Sequence, residues 1–246
     1  MSANPVVTQS DLIARLKAIG KERYHHRHPF HLLMHEGKLT RGQLQAWALN
    51  RYYYQSMIPV KDAIILSRSN DPEFRRAWRK RIEDHDGVNG KPGGIERWIQ
   101  LAVATGLDRA YVVSGDGVLP GVKYSVNAYL ELVRKRSFLE AVSSSFTELF
   151  SGDLIALRLD ALKKHYPWLS HGLSYFEKRL SQVPEDIDFA VDWVTRTVRT
   201  PEQEELVCRA LRAKCDILWA QLDAIYYAYV EPGWPPPGAP RFMDSQ

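Results

Sequence analysis

With 246 residues, 45% of them hydrophobic, the chain can bury a full core in one domain. No run of eighteen apolar residues occurs and residues 1–11 lack the charged-then-apolar pattern of an export signal, which excludes a membrane span and points to the cytoplasm. The formal charge of +4 favours an anionic partner, either nucleic acid or a small polycarboxylate or phosphate, depending on whether the cations stand on exposed runs or on apolar faces.

The first helix is expected to start at Thr8 or Ser10 and to run to Gly20 or slightly beyond, with Ser10-Asp11 as its start signal. Pro29 suits the first turn of a short helix that ends at Gly37. Thr40 and Gln43 have capping-box spacing and open a long helix to about Ser67. Asp71-Pro72 starts the next helix, over 74–86, which stops at Gly87, and 89–94 reads as a loop. A helix over 95–105 is closed by Gly106, and a less regular stretch follows through Gly117. After Pro120, residues 122–150 are apolar at helical spacing, broken only by Ser143-Ser-Ser145. Helices are predicted over 153–165, 173–182 and 184–198, and Thr200-Pro-Glu-Gln203 opens a last one to about Tyr229. A single domain over 1–230 is thus followed by a Pro-rich, loosely held arm over 231–246. No segment alternates with period two for long enough to be a strand, so the fold class is all-α and a bundle is the natural architecture. Cys208 and Cys215 fall seven apart on the last helix, roughly 10 Å along its axis, which is too far to bridge and suits reduced thiols.

Within the long helix from Thr40, the positions Arg51, Tyr54, Gln55, Ile58, Lys61 and Asp62 share one face at a period of 3.6. Pro59 has no N–H and its ring crowds the carbonyl of Gln55, so a kink is expected there. This face reads either as the wall of a site or as a solvated helix surface. The histidines near the N-terminus, in Glu22-x-x-His25, His28-x-x-His31 and His31-x-x-x-His35, have metal-ligand spacing, but no second Glu-x-x-His accompanies them and Pro29 divides them, so capping or surface roles compete. His85 sits in a last helical turn among carboxylates, placed either to move protons or to complement the helix dipole. The run Arg75 to Arg81 with its interleaved Trp78 reads as a nucleic-acid patch or as a solvated helix face.

Tyr175 and Arg179 are i and i+4, so a phenol and a guanidinium project from the same side of a helix. Lys214 lies on the apolar stripe of Leu211, Leu218, Leu222 and Ile225, and Arg158 lies beside Leu154 and Leu162; each either snorkels to solvent or serves a site. Thr147 and Glu148 follow the small serines. No phosphate loop, nucleophile pattern or nucleotide fingerprint is present. Cations and phenols on apolar faces of several helices suggest a closed pocket for a flat, multiply anionic molecule.

Tyr24-His25 with His28-Pro29, the segment from Asn50 to Asp62, Arg81-Ile-Glu-Asp-His-Asp-Gly87, Gly93-Gly-Ile-Glu96, Thr147-Glu-Leu-Phe150 and Leu218-Trp-Ala-Gln-Leu-Asp-Ala224 together resemble the pyrroloquinoline-quinone synthase family. The likeness spans the chain apart from the extreme N-terminus and the Pro-rich tail. It implies a compact seven-helix bundle of the haem-oxygenase-like type, a homodimer in the cytoplasm, binding neither metal nor a redox cofactor and no nucleic acid. It implies an oxidase that closes a ring and removes eight electrons from a bicyclic tricarboxylate precursor (AHQQ) with O2 as co-substrate, giving pyrroloquinoline quinone (PQQ) and H2O2. By position, Tyr24, Arg51, Gln55, Lys61, Arg81, Tyr129, Thr147, Glu148, Arg158 and Lys214 would hold the substrate. His25 and His85 would move protons, and Tyr175 and Arg179 would complete an oxygen pocket with His85. Ile155 stands where some members carry a further histidine, and the segment between Trp168 and Phe176 is one residue shorter than in some relatives, which bears on the register of Tyr175. Two alternatives remain: a metal-dependent oxidase on a similar bundle, using the N-terminal histidines and Glu22, and a basic nucleic-acid-binding module on Arg75 to Arg81.

Overall fold

Local capping chemistry sets most helix starts in the computed structural model, which describes residues 9–242, with side chains described throughout except at 9–10 and 182–188. Helix α1 (Gln9–Arg23) leads into a 3-10 turn at His25–Arg27 and then α2 (Pro29–His35), which His28 caps by accepting the Phe30 N–H. The alternative start at Thr8 lies outside the described residues. Helix α3 (Arg41–Ser67) opens on the expected capping box: Thr40 Oγ1 accepts from Gln43 N at 3.2 Å and Gln43 Oε1 accepts from Thr40 N at 3.0 Å. Asp71 caps α4 (Pro72–Asp86), and Gly87, with φ of +96°, ends it in a conformation open to glycine. One small departure from all-α structure flanks and enters the loop expected over 89–94, a two-residue strand β1 (Gly87–Val88) paired antiparallel with β2 (Lys91–Pro92). Helix α5 (Gly94–Ala104) follows.

The structure differs from the sequence reading at three further points. Asp108 accepts from Tyr111 N at 2.9 Å and starts a short helix, α6 (Arg109–Ser114), in the stretch expected to be irregular. The apolar run over 122–150 divides into α7 (Pro120–Lys135), α8 (Phe138–Ser143), a 3-10 turn at Ser144–Thr147 and the start of α9 (Glu148–His165). A capping box between Ser137 and Glu140 makes the first of these breaks. After a 3-10 turn at Pro167–Gly172, α10 (Ser174–Thr197) runs as one helix across Pro184, where a break was expected; a proline removes one hydrogen bond without ending a helix whose neighbours hold both halves. Helix α11 (Pro201–Tyr229) carries the second expected capping box, between Thr200 and Gln203. The described residues therefore hold eleven α-helices, not seven, because caps and prolines cut the apolar runs into shorter pieces.

Helix α3 is the spine: α4, α5, α7 and α11 all pack on it, while α9 packs against α10 and α11 against α1, α7 and α8. Trp47, Trp78 and Trp98 are fully buried around it, each such burial contributing about 1.5–3 kcal/mol. Trp98 also anchors α5 to the spine by donating its indole N–H to the Ala48 carbonyl at 2.9 Å. Cys208 and Cys215 are buried free thiols on α11. The tail is held more firmly than expected for an arm: Gly233 N and Trp234 N both donate to the Tyr227 carbonyl at 3.1 Å, and Phe242 lies edge-on to Tyr229 with ring centroids 5.3 Å apart. No helix among the described residues is long and apolar enough to cross a membrane.

Candidate active site

The apolar faces of α3, α5, α7, α9, α10 and α11, with the end of α4 and the turns at His25 and Thr147, converge on a cavity of about 100 Å3. Every residue that the family likeness assigns to the site lines it except Arg81, which stands behind the wall; Glu22, His28, His31 and His35 of the metal alternative do not line it. Five of the six residues on the face predicted on α3, Arg51, Tyr54, Gln55, Ile58 and Lys61, line the cavity, with Pro59 inside the helix between them; the sixth, Asp62, does not. Tyr129 on α7 stacks near-parallel to Tyr54, at 11° with centroids 6.5 Å apart.

On one side the cations have anionic partners. Asp62, fully buried, accepts from Lys61 Nζ and from the Trp78 indole N–H at 3.0 Å, and its Oδ1 lies 3.7 Å from Arg81 Nε. Arg81 donates to the Glu148 carboxylate. Burial pushes the Glu148 carboxyl upward, but Arg81, Arg179 and Lys61 outweigh it and hold it below the ordinary carboxylate range. Burial lowers Lys61, with Asp62 opposing the shift.

The opposite side has no such balance. Lys214 is 1% exposed, donates to Tyr54 Oη at 2.8 Å and lies 3.3 Å from the centroid of the Tyr129 ring. Burial first, then Lys61 and Arg51, pushes its pKa well below the ordinary lysine value. Burial and Arg51 push Arg158 down to about 10. Arg51 lies over the Tyr54 ring, 4.1 Å from its centroid. Among the described residues none of these three has a carboxylate within ion-pair distance. His25 is buried beside them, its pKa well below the usual histidine value because of burial and then Arg51, Arg158 and Lys214. Burial also raises the phenols of Tyr24 and Tyr54.

His85 closes the end near α10. Its Nδ1 lies 2.9 Å from the Arg81 carbonyl, which can only accept, so Nδ1 carries the proton and Nε2 has a free lone pair. Burial, then Arg179, pushes its pKa down to about 4. The backbone beside it is tight: a Cβ on Gly93 would stand 2.3 Å from the His85 carbonyl oxygen and 2.4 Å from Gly87 N, so only glycine lets α5 approach the end of α4. Tyr175 and Arg179, one turn apart at the start of α10, complete this end, and Tyr175 meets the Trp98 ring edge-on with centroids 4.8 Å apart. The shorter segment before Phe176 therefore leaves Tyr175 in the cavity. Ile155 gives the wall an apolar patch next to Leu154.

Sequence reasoning passed over several contributors. Tyr54 was visible on the α3 face yet left out of the site, Leu218 was read only as part of an apolar stripe, and Trp98, Phe176 and Ser151 gave no local signal. His31 proves to be a tether: its Nδ1–H donates to the His25 carbonyl at 2.8 Å, which leaves Nε2 to accept from Arg158 Nη2 at 2.9 Å. The His25, His31 and His35 rings are neighbours, but members of the metal alternative's ligand set are engaged elsewhere: His31 as described, His28 in capping α2 and meeting Asp223 at 3.1 Å, and Glu22 exposed beside Arg23. Among the described residues no group of three or more His, Cys, Asp or Glu side chains is placed to hold a metal. In the basic run, Trp78 is fully buried and Arg81 nearly so, which removes the stacking surface a nucleic-acid patch requires.

Comparison with known proteins agrees with this geometry. The chain is 54% identical over 237 residues to the pyrroloquinoline-quinone synthase of Granulibacter bethesdensis, covering 96% of this chain and 93% of that protein. It is 53% identical over 235 residues to the pyrroloquinoline-quinone synthase of Gluconobacter oxydans, covering 95% and 98%. Among solved structures, a domain of unknown function with a heme oxygenase-like fold from Shewanella denitrificans superposes with a TM-score of 0.72 at 15% identity, over 95% of this chain and 97% of that one. A TenA homologue from P. horikoshii gives 0.68 at 13% identity, over 90% and 99%. These two establish the haem-oxygenase-like fold. The TENA/THI-4/PQQC family matches residues 13–224, and with half of its residues shared with those synthases over nearly its whole length, the chain belongs to this family and, within it, to the pyrroloquinoline-quinone synthases.

Proposed function

We propose that the chain catalyses the last step of PQQ biosynthesis, ring closure and eight-electron oxidation of a bicyclic tricarboxylate by O2 with release of H2O2. The observation that carries this reading is the set of cations, Arg158 and Lys214 buried and Arg51 half-buried, that meet in one cavity without carboxylate partners among the described residues. A polycarboxylate supplies the missing counter-charges, and the Tyr54 and Tyr129 rings supply flat walls for a flat substrate. Lys61, already paired with Asp62, would orient carbonyl oxygens with Gln55, Tyr24 and Thr147, while Arg81 would hold Glu148 in place from behind the wall.

His85, neutral at pH 7 with its Nε2 lone pair free, is suited to accept a proton from the substrate. Deprotonation makes the substrate electron-rich enough to reduce O2. Each two-electron step then passes two electrons and two protons to O2, and the Arg179 guanidinium with the Tyr175 hydroxyl would stabilise the oxygen anion as it forms. On this reading neither a metal nor a redox cofactor takes part. A homodimer in the cytoplasm belongs to the same proposal and rests on the family likeness alone. The test is to mix purified, metal-analysed protein with precursor without oxygen, then admit O2. Binding without turnover, followed by the quinone spectrum and peroxide, is expected; an inert mixture, or activity that requires stoichiometric iron or manganese, would sink the proposal.

A further inference from the structure

Behind His25 lies a second cavity of about 10 Å3, enclosed by α3, α11, α9 and the turn before α2, with His25, His31, Asn50, Arg51, Arg158 and Gln221 as its polar lining. That is room for one water molecule. Several of its polar groups are already engaged. Asn50 donates to the Ala46 carbonyl at 2.9 Å and accepts from Leu119 N at 2.8 Å, and His31 uses both ring nitrogens. Three of these lining residues each carry a buried polar atom with no protein partner among the described residues: His25 Nδ1, Arg158 Nε and Gln221 Nε2, on residues only 3%, 6% and 3% exposed. The arginine and amide nitrogens can only donate, and leaving each such buried group unsatisfied would cost about 1–3 kcal/mol.

We propose that this cavity is a binding site for a single water, which accepts from Arg158 Nε–H and Gln221 Nε2–H and donates to His25 Nδ1. One water matches the three groups in number, in donor and acceptor sense and in volume. It also decides the chemistry of His25. Burial among Arg51, Arg158 and Lys214 keeps that ring neutral, and a neutral imidazole that accepts at Nδ1 carries its proton on Nε2. His25, which lines both cavities, then meets the substrate cavity as a proton donor, whereas His85, held at Nδ1–H, meets it as an acceptor. Two buried histidines of the same charge are thus set to opposite roles by what stands behind them, a water in one case and a backbone carbonyl in the other. The water and the tautomer rest on the structure alone, and their use in proton transfer rests on the proposed function.

The tautomer can be read without substrate. Two-bond 1H–15N spectra of the full chain labelled at histidine nitrogen, at pH 7, with His25 assigned by its loss in His25→Asn, should show the Nε2–H pattern for His25. A high-resolution crystal structure should show one ordered oxygen within hydrogen-bond distance of all three atoms. An Nδ1–H pattern or a dry cavity overturns the proposal. In Gln221→Met the thioether fills the cavity, so the His25 spectrum should move to mixed tautomers, and kcat for quinone formation should fall about tenfold with KM within about twofold; a folded variant with an unchanged His25 spectrum also overturns it. If the wild-type spectrum is as expected but no quinone is made, the functional proposal fails and the water site stands.

Discussion

Replacing Lys214 with methionine separates a residue kept for a ligand from one kept for the fold. The two side chains have similar length and volume, so packing is largely preserved. In the wild type the amine is 1% exposed, with Tyr54 Oη at 2.8 Å and the Tyr129 ring as its close partners. Burial, then Lys61 and Arg51, lowers its pKa well below the ordinary lysine value, so holding the amine charged in the fold costs free energy. The hydrogen bond to Tyr54 returns about 1 kcal/mol and the contact of the charged amine with the Tyr129 ring up to about 2, which offsets only part of the cost of burying the charge. Replacing a buried charge by an apolar side chain of similar volume is often stabilising by about 1–4 kcal/mol, and we expect Lys214→Met to be more stable than wild type by about 2 kcal/mol near pH 7, a rise in Tm of about 4–8 °C for a chain of this size. The sign has a pH signature: the unfolded chain binds the proton that the folded one lacks, so wild-type stability should climb with pH between the folded value and 10.5, a slope the variant loses. Precursor affinity should fall about 100-fold with the loss of a buried charged contact. Scanning calorimetry and an anaerobic binding titration measure both. A variant that is less stable and binds precursor as tightly as wild type would show that Lys214 is a core residue and that its orientation toward the ligand was misjudged.

Two other perturbations probe the opposite ends of the cavity. The His85 pKa of about 4, against an ordinary 6.5, means that the unfolded chain takes up a proton first on acidification; about 3 kcal/mol of stability should be lost between pH 6.5 and 4 and be fully present above that window. His85→Gln should flatten this loss in urea melts at successive pH values, and an unchanged pH dependence would refute the assignment. Asp62→Asn leaves Lys61 without its adjacent buried anion and weakens the acceptor of the Trp78 indole, so urea unfolding should show a loss of about 3–5 kcal/mol; a loss below about 1 kcal/mol would mean that Glu148 alone holds the cluster.

Helix starts at Thr40, Asp71 and Thr200 were legible because a cap is a local contact between residues two or three apart. The Ser137–Glu140 box has the same spacing but was masked by apolar residues that keep helical phase on both sides of a short break, so periodicity alone reads through it. The shared face of Arg51, Gln55 and Lys61 could be read from the 3.6-residue period. Its meeting with Arg158, Tyr175 and Lys214 could not, since which faces converge is a tertiary fact, and only the likeness to a family supplied it. The same limit explains Arg81 and His31. Arg81 was expected to touch substrate and instead stands behind Glu148, while His31, considered as a metal ligand, links a backbone carbonyl to a guanidinium. In both cases the partner lies more than sixty positions away in sequence.

Arg51, Arg158 and Lys214 lie close enough to repel one another, while Lys61 and Arg81 are matched by Asp62 and Glu148. A pocket so charged is an ion exchanger at single-molecule scale, and it takes its counterions from whatever buffer surrounds it. Citrate at one hundred times its dissociation constant would add about 2.7 kcal/mol of apparent stability while occupying the place of the substrate. Thermal shifts measured in citrate and in a chloride buffer would therefore rank the same variants differently, and kinetics in the former would report competition by the buffer.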